Sequence, residues 1–232
     1  MPVLGILLSG PVLAEEGAEL TLQLGGSDLL EMLFMLTVIA LIPSILIMTT
    51  SFTRIAIVLS CVRNAIGLQQ TPPNQVLVGI ALFLSLFIMS PALDRINTEA
   101  YIPYKNGEIT QEQAVEAAMV PLREFMLRNT DAKDLNLFLD LGGFETPETL
   151  DEIKTTVIIP AFITSELKRA FTIGFLIFLP FLIIDLVVSS TLMSLGMMML
   201  PPTMISLPFK LMLFVLVDGW GLIVKTLVTG FH

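Results

Sequence analysis

The sequence predicts an all-α protein built from membrane-associated helical hairpins with a small helical insert, and three observations predict it. Apolar residues make up 54% of the chain and charged residues only 14%, against about 25% charged in an ordinary soluble domain. The apolar residues fall in long runs separated by Gly and Pro breakers. The charge is segregated: from Asp94 to Glu166 there are fourteen acids against six bases, so most of the net charge of −9 lies in one water-facing stretch. That acidity argues against nucleic acid as a partner.

The second hairpin organises the chain. From Phe171 to Leu200 only Asp185 can ionise, and from Thr203 to Val228 only Lys210, Asp218 and Lys225 can. Each run is long enough to cross a bilayer, which takes about 20 apolar residues. Gly196 and Pro201-Pro202 break helix from both sides, so the turn is expected near Met198, with Met197, Met198 and Met199 at its tip. Asp185 and Lys210 lie at similar distances from that tip, roughly 18–20 Å along antiparallel helices. A charge in such a helix costs several kcal/mol unless it faces a cavity or a partner. The two therefore either neutralise each other or each meets another subunit; Pro180 and Pro208 can shift the register either way.

Taken in order, residues 1–28 form a signal-like segment or N-terminal arm. Residues 1–14 end in a small-residue Val12-x-Ala14 pattern and lack the usual basic start; a cleaved or truncated signal is favoured, with Glu15 outside the cytoplasm. Residues 29–93 form the first apolar hairpin. Its first helix, Leu29–Met48, opens at Ser27-Asp28 and is expected to kink at Pro43. Ser51–Gln70 remains helical and carries Arg54 and Arg63 with no acid, marking a cytoplasmic side. Thr71-Pro72-Pro73-Asn74 breaks the chain before the return helix around Val76–Met89. About four apolar spans result in all.

Residues 94–167 are the acidic, extracytoplasmic helical insert. Thr110-x-x-Gln113 is a capping-box pattern, Pro121 is expected to kink the helix it opens, Asp131 to cap a second helix ending at Gly142-Gly143, and Thr146-Pro147-Glu148 to begin a third. With no His and no Cys, this insert has little from which to build a catalytic site. Residues 168–232 are the second hairpin. Its leading Lys168-Arg169 sits on the acidic side, against the positive-inside tendency. The single cysteine, Cys61, excludes an intrachain disulfide and reads as a packing residue. No catalytic constellation, metal-ligand spacing or phosphate-binding glycine loop is present, so neither enzyme activity nor a cofactor is expected. Asp218-Gly-Trp220 reads as an interhelical polar contact beside a close-packing glycine. A small-solute or ion transporter using Asp185, Lys210 and Asp218 is the alternative function class; it calls for internal repeats and a substrate-sized cavity.

The motifs Phe171-x-x-Gly174-Phe-x-x-Phe-Leu-Pro180, Ile184-Asp185-Leu-Val-Val188, Gly196-Met-Met-Met-Leu-Pro-Pro202, Ile205-Ser-Leu-Pro-Phe-Lys210 and Val217-Asp-Gly-Trp220, with Thr50-Ser-Phe-Thr-Arg54 and Gln69-x-x-Pro-Pro-Asn74, resemble the flagellar branch of the FliP/SctR family of type III secretion export-gate proteins. The resemblance covers nearly everything after residue 28. It implies a subunit at the bacterial inner membrane, in the flagellar basal body, with the insert on the periplasmic side. It implies five copies joined by FliQ-type and FliR-type subunits, beside other export-apparatus proteins and membrane lipid, as a closed portal for unfolded flagellar substrates. It further implies hairpins lifted largely out of the bilayer plane and a methionine gasket at Met197, Met198 and Met199. Arg54, Asp185, Lys210 and Asp218 are then buried charges serving assembly.

Overall fold

The computed structural model describes residues 26–68, 70–144, 149–197 and 199–231, and every regular element among them is a helix. The elements are α1 (Gly26–Met48), α2 (Phe52–Ile66), α3 (Asn74–Ile96), α4 (Ile102–Lys105), α5 (Gln111–Arg128), α6 (Ala132–Leu141), α7 (Thr155–Ser194), α8 (Pro202–Leu216) and α9 (Gly219–Thr229). A π-helical turn, Asn97–Tyr101, joins α3 to α4, and a 3₁₀ turn, Leu150–Glu152, precedes α7. Residues 1–25 of the N-terminal signal-like segment lie outside the described residues, as does the helix start expected at residues 146–148.

Two compact units divide at residues 46 and 47. In the first, α1 runs through Pro43 without a break, its apolar side chains exposed. The second unit is built around α2. This helix is only 15 residues long, yet its Ile55, Val58, Leu59, Val62, Ala65 and Ile66 are buried. They pack with Ala81 of α3, Ala170 and Phe181 of α7, Phe214 of α8, and Ile223 and Leu227 of α9. The buried positions recur at three- and four-residue spacing, so α2 supplies the core of the unit. Cys61 belongs to this packing: a Cβ placed on Gly174 would come within 2.8 Å of its sulfur, so α2 and α7 approach closely only because residue 174 has no side chain.

Among the described residues, two or three of the roughly four expected apolar spans are long and apolar enough to cross a membrane. The stretches Asn74–Lys105 and Thr155–Ser194 are long and apolar enough to cross a membrane; α8 and α9 make a third only if counted together across a 61° bend. The apolar part of α1, Leu29–Ile45, is shorter. The bend has a local cause. Asp218 adopts a left-handed backbone, φ 49°, and its carboxylate accepts a hydrogen bond from the Gly221 N–H, capping α9 at the break.

The insert has a second core, in which Met126, Leu139, Ile153, Val157, Ile158 and Phe162 are buried together. Its first long helix is opened by the Thr110–Gln113 capping box and passes through Pro121 unbroken. The last helix begins inside the insert. From Thr155 it runs 40 residues, through Pro160 and Pro180, to the tip of the second hairpin, so one rod joins insert and hairpin.

Candidate functional site: two buried ion pairs and the hairpin tip

Asp185 and Lys210 meet. The Lys210 ammonium donates to Asp185 Oδ2 at 2.6 Å and to the Ala65 carbonyl at 3.3 Å, while the Ser206 hydroxyl donates to Asp185 Oδ1 at 2.6 Å. The Lys210 side chain is 6% exposed and that of Asp185 25%, so the cation is the more deeply buried partner. The equal depths read from the sequence thus correspond to a direct pair that ties α7 to α8 and reaches the C-terminal turn of α2. Each charged group has at least two partners, as burial in an apolar setting demands.

The second pair was not legible in the sequence. Arg54, expected to mark a cytoplasmic end, is buried in α2; its Nε donates to Glu166 Oε2 at 2.7 Å and its Nη2 to the other carboxylate oxygen, a bidentate fork. Arg54 Nη1 also donates to the Gly230 carbonyl at 2.8 Å, and its guanidinium lies 3.7 Å from the centre of the Phe231 ring. Phe231 in turn stacks on Phe125 of α5, ring centres 6.0 Å apart. One arginine therefore fastens α2, α7 and the residues after α9 to each other. An arginine suits this place because its planar fork holds both carboxylate oxygens and still offers a donor and a face.

Lys168 and Arg169 also find their reason in the tertiary structure. Lys168 pairs with Asp134, and Arg169 with Asp131, both acids at the start of α6. Ser165 donates to Asp134 Oδ2 at 2.8 Å and accepts from the Asp131 N–H at 2.9 Å. The Lys168 ammonium, then the Ser165 hydroxyl, hold the Asp134 carboxyl below the usual aspartate range against the opposing effect of burial. Asp131 occupies the capping position of α6, but its side chain makes no capping bond and is committed to Arg169 instead. On the other side of the insert, Arg95 donates to Glu124 at 2.7 Å and to Glu99 at 3.0 Å. The Arg95 guanidinium lowers the Glu124 pKa.

At the hairpin tip, α7 ends at Ser194 and α8 starts at Pro202. Gly196 takes φ 73°, which turns the chain outward. Met197 is 44% exposed and Met199 99%. Met198 lies outside the described residues. Asp218 makes no interhelical polar contact among the described residues; it caps its own helix, while Gly219 lets the Phe214 ring approach to where a Cβ would stand, 2.3 Å away. Among the described residues no three His, Cys, Asp or Glu side chains converge to hold a metal ion.

The sequence profile of the FliP family matches residues 35–227. The chain belongs to the FliP family. It is 55% identical over 205 residues to the flagellar biosynthetic protein FliP of Bacillus subtilis, an alignment covering 88% of this chain and 93% of that protein. Its identity to the protein of the same name from Pectobacterium carotovorum is 55% over 200 residues, 86% of this chain and 78% of the relative. The FliP of Aquifex aeolicus is 46% identical over 232 residues, covering 98% and 97% of the two chains. The FliP match takes in both buried ion pairs and the methionine tip.

Proposed function

We propose that the chain is a structural subunit of the flagellar type III secretion export gate, forming with further copies and with FliQ-type and FliR-type subunits the closed portal that admits unfolded flagellar proteins. Five copies follow from the family resemblance. In this reading the assembly sits in the bacterial inner membrane at the basal body, residues 94–167 face the periplasm, and other export-apparatus proteins and lipid surround it. Membership of the FliP family supports this assignment. So does the number of membrane-capable segments: the two or three among the described residues are too few for one chain to enclose a pore. Their outward faces are large and apolar, with Phe83, Phe87, Phe175, Ile183, Leu216 and Val215 all exposed. Such surfaces call for neighbouring subunits or lipid.

The observation that carries the gate reading is the hairpin tip, which presents Met197 and Met199 away from their own chain. Symmetry-related tips converging on one axis would close an opening with long, unbranched and polarizable side chains, sealing it by dewetting yet yielding to a passing polypeptide. The transporter alternative has no support. Asp185 and Lys210 are committed to each other, so neither is free to couple a solute. Replacing Met197, Met198 and Met199 together by Ala is expected to leave assembly intact and let small ions leak, measured as membrane conductance beside flagellin secretion. A variant that assembles normally and stays as tight to ions as the parent refutes the gasket.

A further inference from the structure

The second hairpin keeps two ionised side chains that its own chain does not neutralise. From Leu167 to Phe231 the charged residues are Lys168, Arg169, Asp185, Lys210, Asp218 and Lys225. The first two pair with acids of the insert, and Asp185 pairs with Lys210. Asp218 and Lys225 are left over. Among the described residues the Asp218 carboxylate meets no cation, only the Gly221 N–H at 3.4 Å, and the Lys225 ammonium meets no acceptor. Arg63, the other hairpin cation without a carboxylate among the described residues, is held inside its own chain by Asn74 Oδ1 at 2.6 Å and the Pro72 carbonyl at 3.3 Å.

Both leftover charges are exposed, and both belong to the outer face of α9. Seven residues make nearly two full turns, so Asp218 and Lys225 stand about 20° apart around the axis. Leu222 between them is exposed, whereas Gly219, Ile223 and Leu227 are buried. The surroundings of Asp218 are apolar: Val215, Leu216 and Trp220 are exposed beside it. A carboxylate on such a surface is costly to cover unless a cation comes with the cover.

Charge and symmetry together select what covers it. A helix face with an acid at one end and a base at the other is complementary to a second copy of itself. Copies that share one orientation in the membrane are related by rotation about its normal, so only charges at similar depth can meet. The bend supplies that match. Because α9 turns 61° from α8, the roughly 10 Å of helix from Asp218 to Lys225 covers only about 5 Å along the direction of α8. Helical side chains lean toward the helix N-terminus, which carries the lysine ammonium back toward the level of Asp218. Lipid on this face would leave Asp218 without a counterion.

We propose that α9 forms a contact between copies of this chain in which Asp218 of one copy pairs with Lys225 of the next, head to tail. Each copy offers one acid and one base, so a closed ring leaves neither unpaired. The pairing rests on the multi-copy gate reading and adds to it the residues that join the copies.

The test uses the detergent-solubilised assembly, its mass measured first, and a zero-length carbodiimide, which joins an ammonium to a carboxylate only where they touch. Chains carrying Asp218→Asn and chains carrying Lys225→Gln, with different affinity tags, are co-expressed, so any bond between Asp218 and Lys225 lies between copies. A covalent dimer bearing both tags is expected, with the cross-linked peptide joining the two residues; each variant expressed alone gives none. Independently, Lys225→Glu should weaken association of the copies about tenfold by setting two acids together, and Asp218→Asn in that background should restore most of it. Asn tolerates the left-handed backbone and still caps, and position 225 is exposed, so these variants keep the fold. A multi-copy particle without the cross-link, or a Lys225→Glu variant that associates as tightly as the parent, overturns the pairing and leaves the gate reading standing. A particle holding a single copy overturns both.

Discussion

Asp185→Asn removes the countercharge from a lysine that has almost no access to water. The Lys210 side chain is 6% exposed, and without the carboxylate it faces only neutral acceptors, the substituted amide oxygen and the Ala65 carbonyl at 3.3 Å. Removing one member of a buried pair leaves an uncompensated charge worth about 3–5 kcal/mol; the partial hydration available from the Asp185 side sets the lower figure, about 3 kcal/mol. Lys210→Met is the milder change. The carboxylate it strands is 25% exposed and keeps the Ser206 hydroxyl, so about 1–2 kcal/mol is expected. The double variant removes both charges together and should fall short of the sum by about 1–3 kcal/mol. For a chain of this size each kcal/mol moves the unfolding midpoint by about 2–4 °C. Asp185→Asn should therefore lower the midpoint of the detergent-solubilised assembly by about 6–12 °C, and adding Lys210→Met should recover part of the loss. Strict additivity refutes the pairing argument, and so does a Lys210→Met variant less stable than Asp185→Asn.

Arg54→Lys keeps the charge beside Glu166 but gives up the fork, the Gly230 contact and the planar face over Phe231, at a cost of about 1–2 kcal/mol. Hydrogen exchange in α9 should quicken; unchanged protection there would show that the arginine does not anchor the end of the chain. Asp134 is held below its ordinary value of 3.8 in the folded protein, chiefly by Lys168. Its contribution is therefore present in full above that value and is lost as pH falls through the depressed folded value. Exchange in α6 should rise only below about pH 3.8, and Asp134→Asn should abolish that acid-dependent part. A rise already complete at higher pH would contradict the assignment.

Much of this architecture is set by local chemistry and so is written in the chain. Gly196 and Pro201-Pro202 end helices whatever surrounds them, and Thr110 with Gln113 starts one, because these effects reach no further than a turn. Apolar length delimits the long segments. Helical rise is constant, so the depth shared by Asp185 and Lys210 could be counted; rotation about the axis and the neighbour met there could not, and only the packed helices decided between a direct pair and separate partners. The same limit hid Glu166. It lies 112 residues from Arg54, inside what reads as the water-facing insert, and nothing periodic connects the two. It also made Lys168 and Arg169 look misplaced, because their partners Asp134 and Asp131 come alongside only when α6 folds back on α7. Sequence determined where helices begin, end and turn apolar. Tertiary structure decided which charge meets which, because a buried ion pair selects its partner through space, and spacing along one helix carries no information about the azimuth of another.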